Sequence, residues 1–309
     1  MSKFNAPLHL VLAIVATMAS MPPSSADAQI YVLNYGQNHG GQGFVSEYAM
    51  SGAPINTSLI TGLFLPAGMA VCGSDLFVSD TGINDTWSTI YEYTLDGTPV
   101  NTFWAVPYCN GIATNGSELF FTNGSNADVG GGVGEFMPSG AAVNVNLILA
   151  TGPDEIAASG DSLFVSFPET GTVAAYRDDG TTLSNALIGG LVYPFGLAAS
   201  GSSLYVLDSP INTVSEYNTS GALVNASLIT RLHEPLSLAV SGADMYVGYV
   251  QNSGIGAIGE YTTSGAVLNS KFITGLDGPV VIVVVPEPAT GSIAAVAGLA
   301  LLIRRPRRR

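Results

Sequence analysis

Short stretches of alternating apolar and polar residues recur along this chain, and each is followed by a turn containing glycine. The core of a stretch is aliphatic and aromatic, as in Leu-Phe-Val-Ser-Asp at 76–80 and Leu-Tyr-Val-Leu-Asp at 204–208. A two-residue period of this kind predicts β-strands. Between the two termini no segment carries a convincing 3.6-residue apolar stripe, so the sequence predicts an all-β protein.

The strand pattern is repeated six times. In each repeat a second strand ends in an aromatic residue, which we call the anchor, and a turn glycine follows four residues later. The anchors lie 45, 43, 40, 41 and 44 residues apart and are Tyr48, Tyr93, Phe136, Tyr176, Tyr217 and Tyr261. Repeats of about 40 to 45 residues, with room for four short strands each, are typical of β-propeller blades. We therefore predict a six-bladed β-propeller.

The phase of the repeat predicts how the ring closes. The first strand, 30–34, corresponds to the second strand of a blade, and the strand missing from that blade is Pro279–Val285 at the other end. Pairing of the last strand beside the first would remove the open edge of an incomplete ring. We expect the propeller to occupy residues 29–285.

The repeats carry a resemblance to a known family. The stretch LPAGMAVCGSDLFVSDTGINDTWSTIYEYTLDG resembles an NHL-type repeat, with Pro-x-Gly-hydrophobic-Ala, a hydrophobic-aromatic-Val strand, Asp-Thr-Gly and Asp-Gly in order. The resemblance covers residues 30–285 and implies a propeller. The repeats at 110–140 and 154–180 depart from it because they lack the aspartate of Asp-Thr-Gly.

The N-terminal segment has the pattern of a secretory signal peptide. Lys3 precedes an apolar run from Leu8 to about Met21, and Ala26-Asp27-Ala28 forms a small-residue cleavage site. This order predicts export, with residues 1–28 removed.

The C-terminal segment, 286–309, is similar to the PEP-CTERM sorting signal of Gram-negative bacteria. Pro286-Glu287-Pro288 precedes an apolar stretch at 289–303 and a basic cluster. The resemblance implies one short transmembrane helix, cleavage by an exosortase-type enzyme, and a protein that is membrane-anchored and then at the cell surface or extracellular. An ordinary short tail anchor is the alternative. The arginines of the cluster are expected to be the cytoplasmic stop of the membrane segment; they are Arg304, Arg305, Arg307, Arg308 and Arg309.

The charge of the ring excludes one class of partner. Without the two terminal segments, three basic residues remain against 22 acidic ones, a balance of about −19 with histidine neutral. Nucleic-acid binding needs clustered lysine and arginine, so we expect no nucleic-acid partner. Cations, neutral glycans and basic proteins remain candidates.

The two cysteines of the chain are predicted to be unpaired. In the aligned inner strands Cys109 begins its strand and Cys72 ends the strand of the preceding blade. Six residues at about 3.3 Å each separate them by roughly 20 Å along the strand direction, whereas a disulfide needs Cα atoms within about 7 Å.

Four residues are candidates for a metal site, and none is predicted to be catalytic. Loops at the start of the inner strands surround the channel mouth of a propeller and here hold Asn110, Asp154, Glu155 and His233. Oxygen and imidazole donors of this kind suit a divalent cation such as calcium. Similar propellers, including lactonases and lyases, place a cation at this mouth. The alternative is that the four are solvated loop residues, with no cofactor.

Two functions are compatible with the sequence. The first is a non-enzymatic, surface-sorted propeller that binds an extracellular ligand, either a glycan or a protein, or has a structural role in the cell envelope or matrix. The second is a divalent-cation-dependent lyase or lactonase whose site is the channel mouth. The first is favoured because the sequence holds no Gly-x-Ser-x-Gly elbow, His-Glu-x-x-His helix or phosphate loop.

Overall fold

The structure, a computed structural model, describes residues 28–36, 40, 42–82, 87–106, 108–124, 131–251 and 253–286. These ranges form six antiparallel sheets of four strands each, which confirms the predicted all-β, six-bladed β-propeller. The predicted signal peptide up to residue 27, and the tail from Glu287 and Pro288 through its arginine cluster, lie outside the described residues. Within the described ranges, no helix combines the length and apolar character that a bilayer span requires.

The strands follow the chain in blade order. Blade 1 contains β1 (Gln29–Asn34), β2 (Gln42–Ala49), β3 (Pro54–Phe64) and the closing strand β24 (Pro279–Val285). Blade 2 contains β4 (Pro66–Cys72), β5 (Asp75–Asp80), β6 (Ser88–Thr94) and β7 (Pro99–Val106). Blade 3 contains β8 (Cys109–Thr114), β9 (Leu119–Asn123), β10 (Gly132–Phe136) and β11 (Ala142–Leu149).

Blades 4 to 6 have the same arrangement. Blade 4 contains β12 (Ile156–Ser159), β13 (Ser162–Phe167), β14 (Thr172–Arg177) and β15 (Thr182–Ile188). Blade 5 contains β16 (Pro194–Ser200), β17 (Ser203–Asp208), β18 (Thr213–Asn218) and β19 (Leu223–Ile229). Blade 6 contains β20 (Pro235–Ser241), β21 (Asp244–Val250), β22 (Gly256–Thr262) and β23 (Val267–Leu276). Short 3-10 turns follow β13 and β17, at Pro168–Thr170 and Ser209–Ile211.

The ring closes through its last strand. β24 lies beside β1 in antiparallel register, from Gln29 opposite Val285 to Leu33 opposite Val281. The innermost strand of blade 1 is therefore supplied by the C-terminal end of the ring. This arrangement confirms the closure predicted from the repeat phase and leaves the inner edge of β1 paired.

In five of the six blades the turn glycine is also a contact with the neighbouring blade. Gly221 has φ of 85°, and a Cβ there would lie 2.5 Å from the carbonyl oxygen of Leu187 on the outer strand of the preceding blade. Gly180 has φ of 84° and the same relation to Leu147, at 2.6 Å. A residue with a side chain would be strained by its backbone and would also clash. The equivalent contacts elsewhere are Gly52 with Phe272, Gly97 with Leu59, and Gly265 with Leu228.

The core lies between blades, and hydroxyl groups join blades near the channel. Ser79 Oγ accepts a bond from Gly68 N–H at 2.7 Å and donates to the carbonyl of Cys109, in the next blade, at 3.2 Å. Both cysteines are buried and unpaired, as expected. Burial raises the pKa of the Cys109 thiol to about 12, so the thiol is held in its protonated, unreactive form.

Candidate functional site

The inner strands begin around one mouth of the central channel, and one of them carries an exceptional residue there. One residue lies just before the first buried aliphatic residue of each inner strand. In five blades this residue is small or apolar, whereas in blade 4 it is Glu155. The other five residues at this position are Gly68, Gly111, Gly196, Ser237 and Val281. An ionisable side chain at a position otherwise filled by small or apolar residues is a candidate functional group.

The carboxylate of Glu155 is held in a small space against blade 3. Its Oε1 accepts a bond from the backbone N–H of Ile156 at 3.2 Å, and its own N–H donates to Ser166 Oγ at 3.0 Å. A Cβ added at Gly111 would lie 3.0 Å from Oε1, so the absence of a side chain there provides the space. Burial, and then the charge of Asp154, raise the pKa of Glu155 well above its usual range, against the smaller opposing effect of the Ile156 N–H.

Asp154 adjoins Glu155 and joins blade 4 to blade 3. Its Oδ1 accepts a bond from Asn110 Nδ2 at 2.8 Å, and its carbonyl accepts one from Thr122 Oγ1 at 2.6 Å. Burial raises the pKa of Asp154 to about 6, although the Asn110 bond opposes the change. The structure therefore brings together three of the four predicted metal ligands, and the two carboxyl residues among them are half-buried.

The fourth predicted ligand lies elsewhere. His233 is half-buried in a groove between blades 5 and 6, where Tyr249 and Tyr261 also line the wall. Its Nδ1 is 2.7 Å from the carbonyl oxygen of Val250, which requires that this nitrogen carry the proton. Among the described residues no group of three or more histidine, cysteine, aspartate or glutamate side chains is placed to hold a metal ion. Metal binding at the mouth stays a prediction that rests on Asn110, Asp154 and Glu155.

A cleft beside the mouth was not anticipated from the sequence. It has a volume of about 480 Å³ and is lined by Tyr193, Phe195, Glu234 and Leu236 together with the 3-10 turn after β17. Burial, and then the charges of Asp154 and Glu169, raise the pKa of Tyr193, which places its phenol within electrostatic range of the Asp154 carboxylate. Asn110 in blade 3 and Asp154 in blade 4 share one repeat position, and the residues at this position in blades 5 and 6 are Phe195 and Leu236. Aligning the repeats could therefore have indicated an apolar cleft beside the polar residues.

The channel below the mouth is almost entirely apolar. It has a volume of about 450 Å³ and is lined by the inner strands, including Met69, Ile112, Leu197 and Leu238. Among the described lining residues, Glu155 is the one with an ionisable side chain. The mouth thus combines two adjacent carboxyl groups of raised pKa, an amide and two aromatic rings. Such a set can bind a cationic or neutral polar ligand, and it can hold a proton near neutral pH.

No family model matches the chain, and no curated protein matches it. Solved structures do share its fold. A chain of a nidogen–laminin complex has a TM-score of 0.64 at 14% identity, over 85% of this chain and 100% of that one. A Bacteroides fragilis protein assigned as a 6-phosphogluconolactonase has a TM-score of 0.60 at 14% identity, over 85% and 99%. Catalytically inactive virginiamycin B lyase from Staphylococcus aureus, solved with quinupristin, has a TM-score of 0.55 at 15% identity, over 81% and 86%.

These similarities establish the class of the molecule. The chain is a six-bladed β-propeller, and its blades, channel and mouth are those of a fold shared by enzymes and by proteins of assemblies. At identities near 15% the likeness concerns the fold alone, because one fold hosts many unrelated functions.

Proposed function

We propose that this protein is an exported, surface-sorted β-propeller that acts as a non-enzymatic binding protein of the cell envelope or extracellular matrix. Its ligand is an extracellular glycan or protein. Export is supported by the signal-peptide pattern before Gln29, and surface sorting by the Pro286-Glu287-Pro288 motif, the apolar stretch and the arginine cluster that follow it. An exosortase-type enzyme is the processing partner implied by this tail, and the apolar stretch is the membrane segment.

The observation that carries the binding role is the cleft at the mouth. Tyr193 and Phe195 present aromatic surface beside Glu234 and Asp154, on a ring closed by strand pairing. Rigid aromatic side chains beside a few polar groups are typical of ligand-binding surfaces. The polar groups most suited to catalysis are engaged within the protein, since Asp154 accepts from Asn110 and Glu155 accepts from Ile156.

Sorting is tested with an epitope-tagged full chain in a host that carries an exosortase. We expect antibody labelling of intact cells for the native sequence. A variant with Pro286, Glu287 and Pro288 all replaced by alanine should remain in the membrane fraction without surface labelling. Equal labelling of both chains would show that the motif does not direct sorting. Native protein found only in the cytoplasm would contradict export itself.

A divalent-cation-dependent lyase or lactonase remains the second candidate. The specific observation in its favour is that Asn110, Asp154 and Glu155 lie together at the mouth, in the environment that raises the pKa of both carboxyl groups. Two of the similar folds belong to a protein assigned as a lactonase and to a lyase.

Metal content separates the two candidates. The enzyme predicts one bound divalent ion per chain, a higher melting temperature with calcium, and loss of both in the Asp154→Asn, Glu155→Gln double variant. It also predicts metal-dependent opening of a lactone or of a cyclic ester substrate by the native chain. No metal and a melting temperature unchanged by calcium would leave the binding protein.

A further inference from the structure

A long groove lies on the side of the ring and is separate from the cleft at the mouth. It has a volume of about 640 Å³ and lies between blades 6 and 1, where the first and last blades meet. Its blade 1 wall is formed by β2 and β3, from Gln42 to Thr61, and its blade 6 wall by residues 272–276 of β23. The β2 residues that line the groove run from Gln42 to Tyr48, and six residue steps along a strand give the groove a length of roughly 20 Å.

The first reason to assign a function to this groove is an aromatic residue that the repeat does not require. Phe44 lies three residues before Glu47 on β2 and is half-buried at the groove. The corresponding residues on the third strands of the other five blades are all small: Thr89, Gly132, Thr172, Thr213 and Ala257. Because five blades fold without a large side chain at this position, the aromatic ring is a feature of blade 1 and not of the repeat.

A second aromatic residue departs from the repeat on the opposite wall. Phe272 of β23 packs its ring against the turn at Gly52, where a Cβ would lie 3.2 Å from the ring, and its centroid is 5.6 Å from that of Tyr246. The residues in the same contact on blades 1, 3, 4 and 5 are all leucine: Leu59, Leu147, Leu187 and Leu228. Both aromatic substitutions therefore face one groove.

The two outer strands beside this groove are also the longest of their kind. β3 has 11 residues and β23 has 10, whereas the outer strands of blades 2 to 5 have 7 or 8. The additional residues include Thr61 and Gly62 on β3 and Thr274 and Gly275 on β23, which line the groove. The two strands that form the walls are therefore longer where the aromatic residues occur. This is a second, independent indication that the groove has a binding function.

The chemistry of the lining selects the ligand. None of the described lining residues is charged, although the ring as a whole is strongly acidic. Exposed residues with hydroxyl groups line the groove together with the half-buried rings of Phe44 and Phe272; they are Thr57, Ser58, Thr61 and Thr274. Aromatic faces pack against the apolar faces of pyranose rings, and hydroxyl groups of the protein exchange hydrogen bonds with sugar hydroxyls. Because the lining is uncharged, a neutral sugar that binds there does not bury a charged group without a partner.

We propose that the groove between blades 6 and 1 binds a neutral polysaccharide chain. The inference goes beyond the proposed function, because this groove is a second site that is separate from the cleft at the channel mouth. An open groove with two ends suits a chain that continues past the site on both sides, as a matrix polysaccharide does. The absence of lysine and arginine from the lining disfavours anionic polysaccharides.

The test uses residues 29–286, within which the ring is closed by pairing of Gln29 with Val285. Native gels cast with dextran, mannan, galactomannan or arabinoxylan measure retardation, with alginate as an anionic comparison. The variants are Phe44→Thr and Phe272→Leu, which install residues that other blades already use at the same positions. Trp87→Leu, which removes an exposed aromatic ring outside the groove and outside the cleft at the mouth, is the matched control, and Phe195→Leu reports separately on that cleft.

We expect at least one neutral polysaccharide to retard the native chain, and each groove variant to bind it at least about fivefold more weakly, as is usual for aromatic contacts at the centre of an interface. Trp87→Leu should bind as the native chain does, and all variants should keep the melting temperature of the native chain. Unchanged binding by both groove variants, retardation by alginate alone, or no retardation at all would each overturn the proposal. Weaker binding by Phe195→Leu alone would overturn it too, while supporting a binding function at the mouth.

Discussion

Replacing Asp154 by asparagine should change how the stability of the propeller depends on pH. Asparagine keeps the oxygen that accepts from Asn110 but cannot ionise, so the exchange removes the charge and leaves the hydrogen bond. The folded-state pKa of Asp154, about 6, lies above its ordinary value of 3.8. A carboxyl group with a raised pKa stabilises the folded state below its unfolded pKa, and this stabilisation is lost as the pH rises through the folded pKa.

The magnitude follows from the size of the change. The difference between 3.8 and about 6, at 1.36 kcal/mol per pH unit, is about 3 kcal/mol. Because Asp154 is partly exposed at the channel mouth and interacts with Glu155, we take this as an upper value. As the pH rises from 4 to 8, the unfolding free energy of Asp154→Asn should therefore increase by up to about 3 kcal/mol relative to that of the native chain.

Urea unfolding at a series of pH values, with a chelator present, measures this difference. Asp179→Asn is the matched control, because Asp179 is exposed in the β14–β15 turn and hydrogen bonds with Thr181 lower its pKa. Because the stabilisation from a lowered pKa is already present above the unfolded value, that control should show almost no pH dependence relative to the native chain between pH 4 and pH 8. If the Asp154→Asn difference stays within about 0.5 kcal/mol from pH 4 to pH 8, the carboxylate is solvated and the reasoning about the mouth is wrong.

Three further outcomes are expected. In urea unfolding, Gly221→Ala should lose roughly 1–2 kcal/mol more unfolding free energy than Gly201→Ala, because both glycines have positive φ but only Gly221 lies against a carbonyl of the neighbouring blade. Equal losses would show that the blade contact is unimportant. A chain ending at Gly278 lacks β24 and should aggregate or melt without cooperativity, whereas a chain ending at Pro286 should not; cooperative melting of both would contradict closure by this strand. Both thiols should react with a thiol reagent in urea without reductant and resist it in the native state, and rapid native labelling would show that they are exposed.

The ring could be predicted from the sequence because its signals are local and repeated. The strand period, the anchor aromatic residues and the turn glycines lie within each repeat, and the phase of the repeat places Pro279–Val285 beside the first strand. A glutamate also recurs at one position in five of the six blades, directly before the anchor aromatic residue. Glu92 lies between Phe77 and Asn101 on its two neighbouring strands, and blade 4 has Ala175 and Ser184 where the other blades pair glutamate with asparagine.

The candidate site could be predicted only in part, because its geometry depends on contacts between blades. The bond from Asn110 to Asp154 joins residues 44 positions apart, and the Glu155 environment depends on the missing side chain at Gly111. His233 was expected at the mouth because it precedes an inner strand. Its ring instead reaches the carbonyl of Val250, a contact set by side-chain rotation that no spacing in the sequence specifies.

The pairing of the terminal strands places both ends of the ring on one face. Each inner strand runs from the mouth towards the opposite face of the ring, and β24 does the same from Pro279 to Val285. Gln29 lies directly across from Val285, so the chain enters and leaves the ring at neighbouring points on the face away from Asp154 and Tyr193. A tag or linker joined at Gln29 or Val285 would therefore start on the face opposite the mouth.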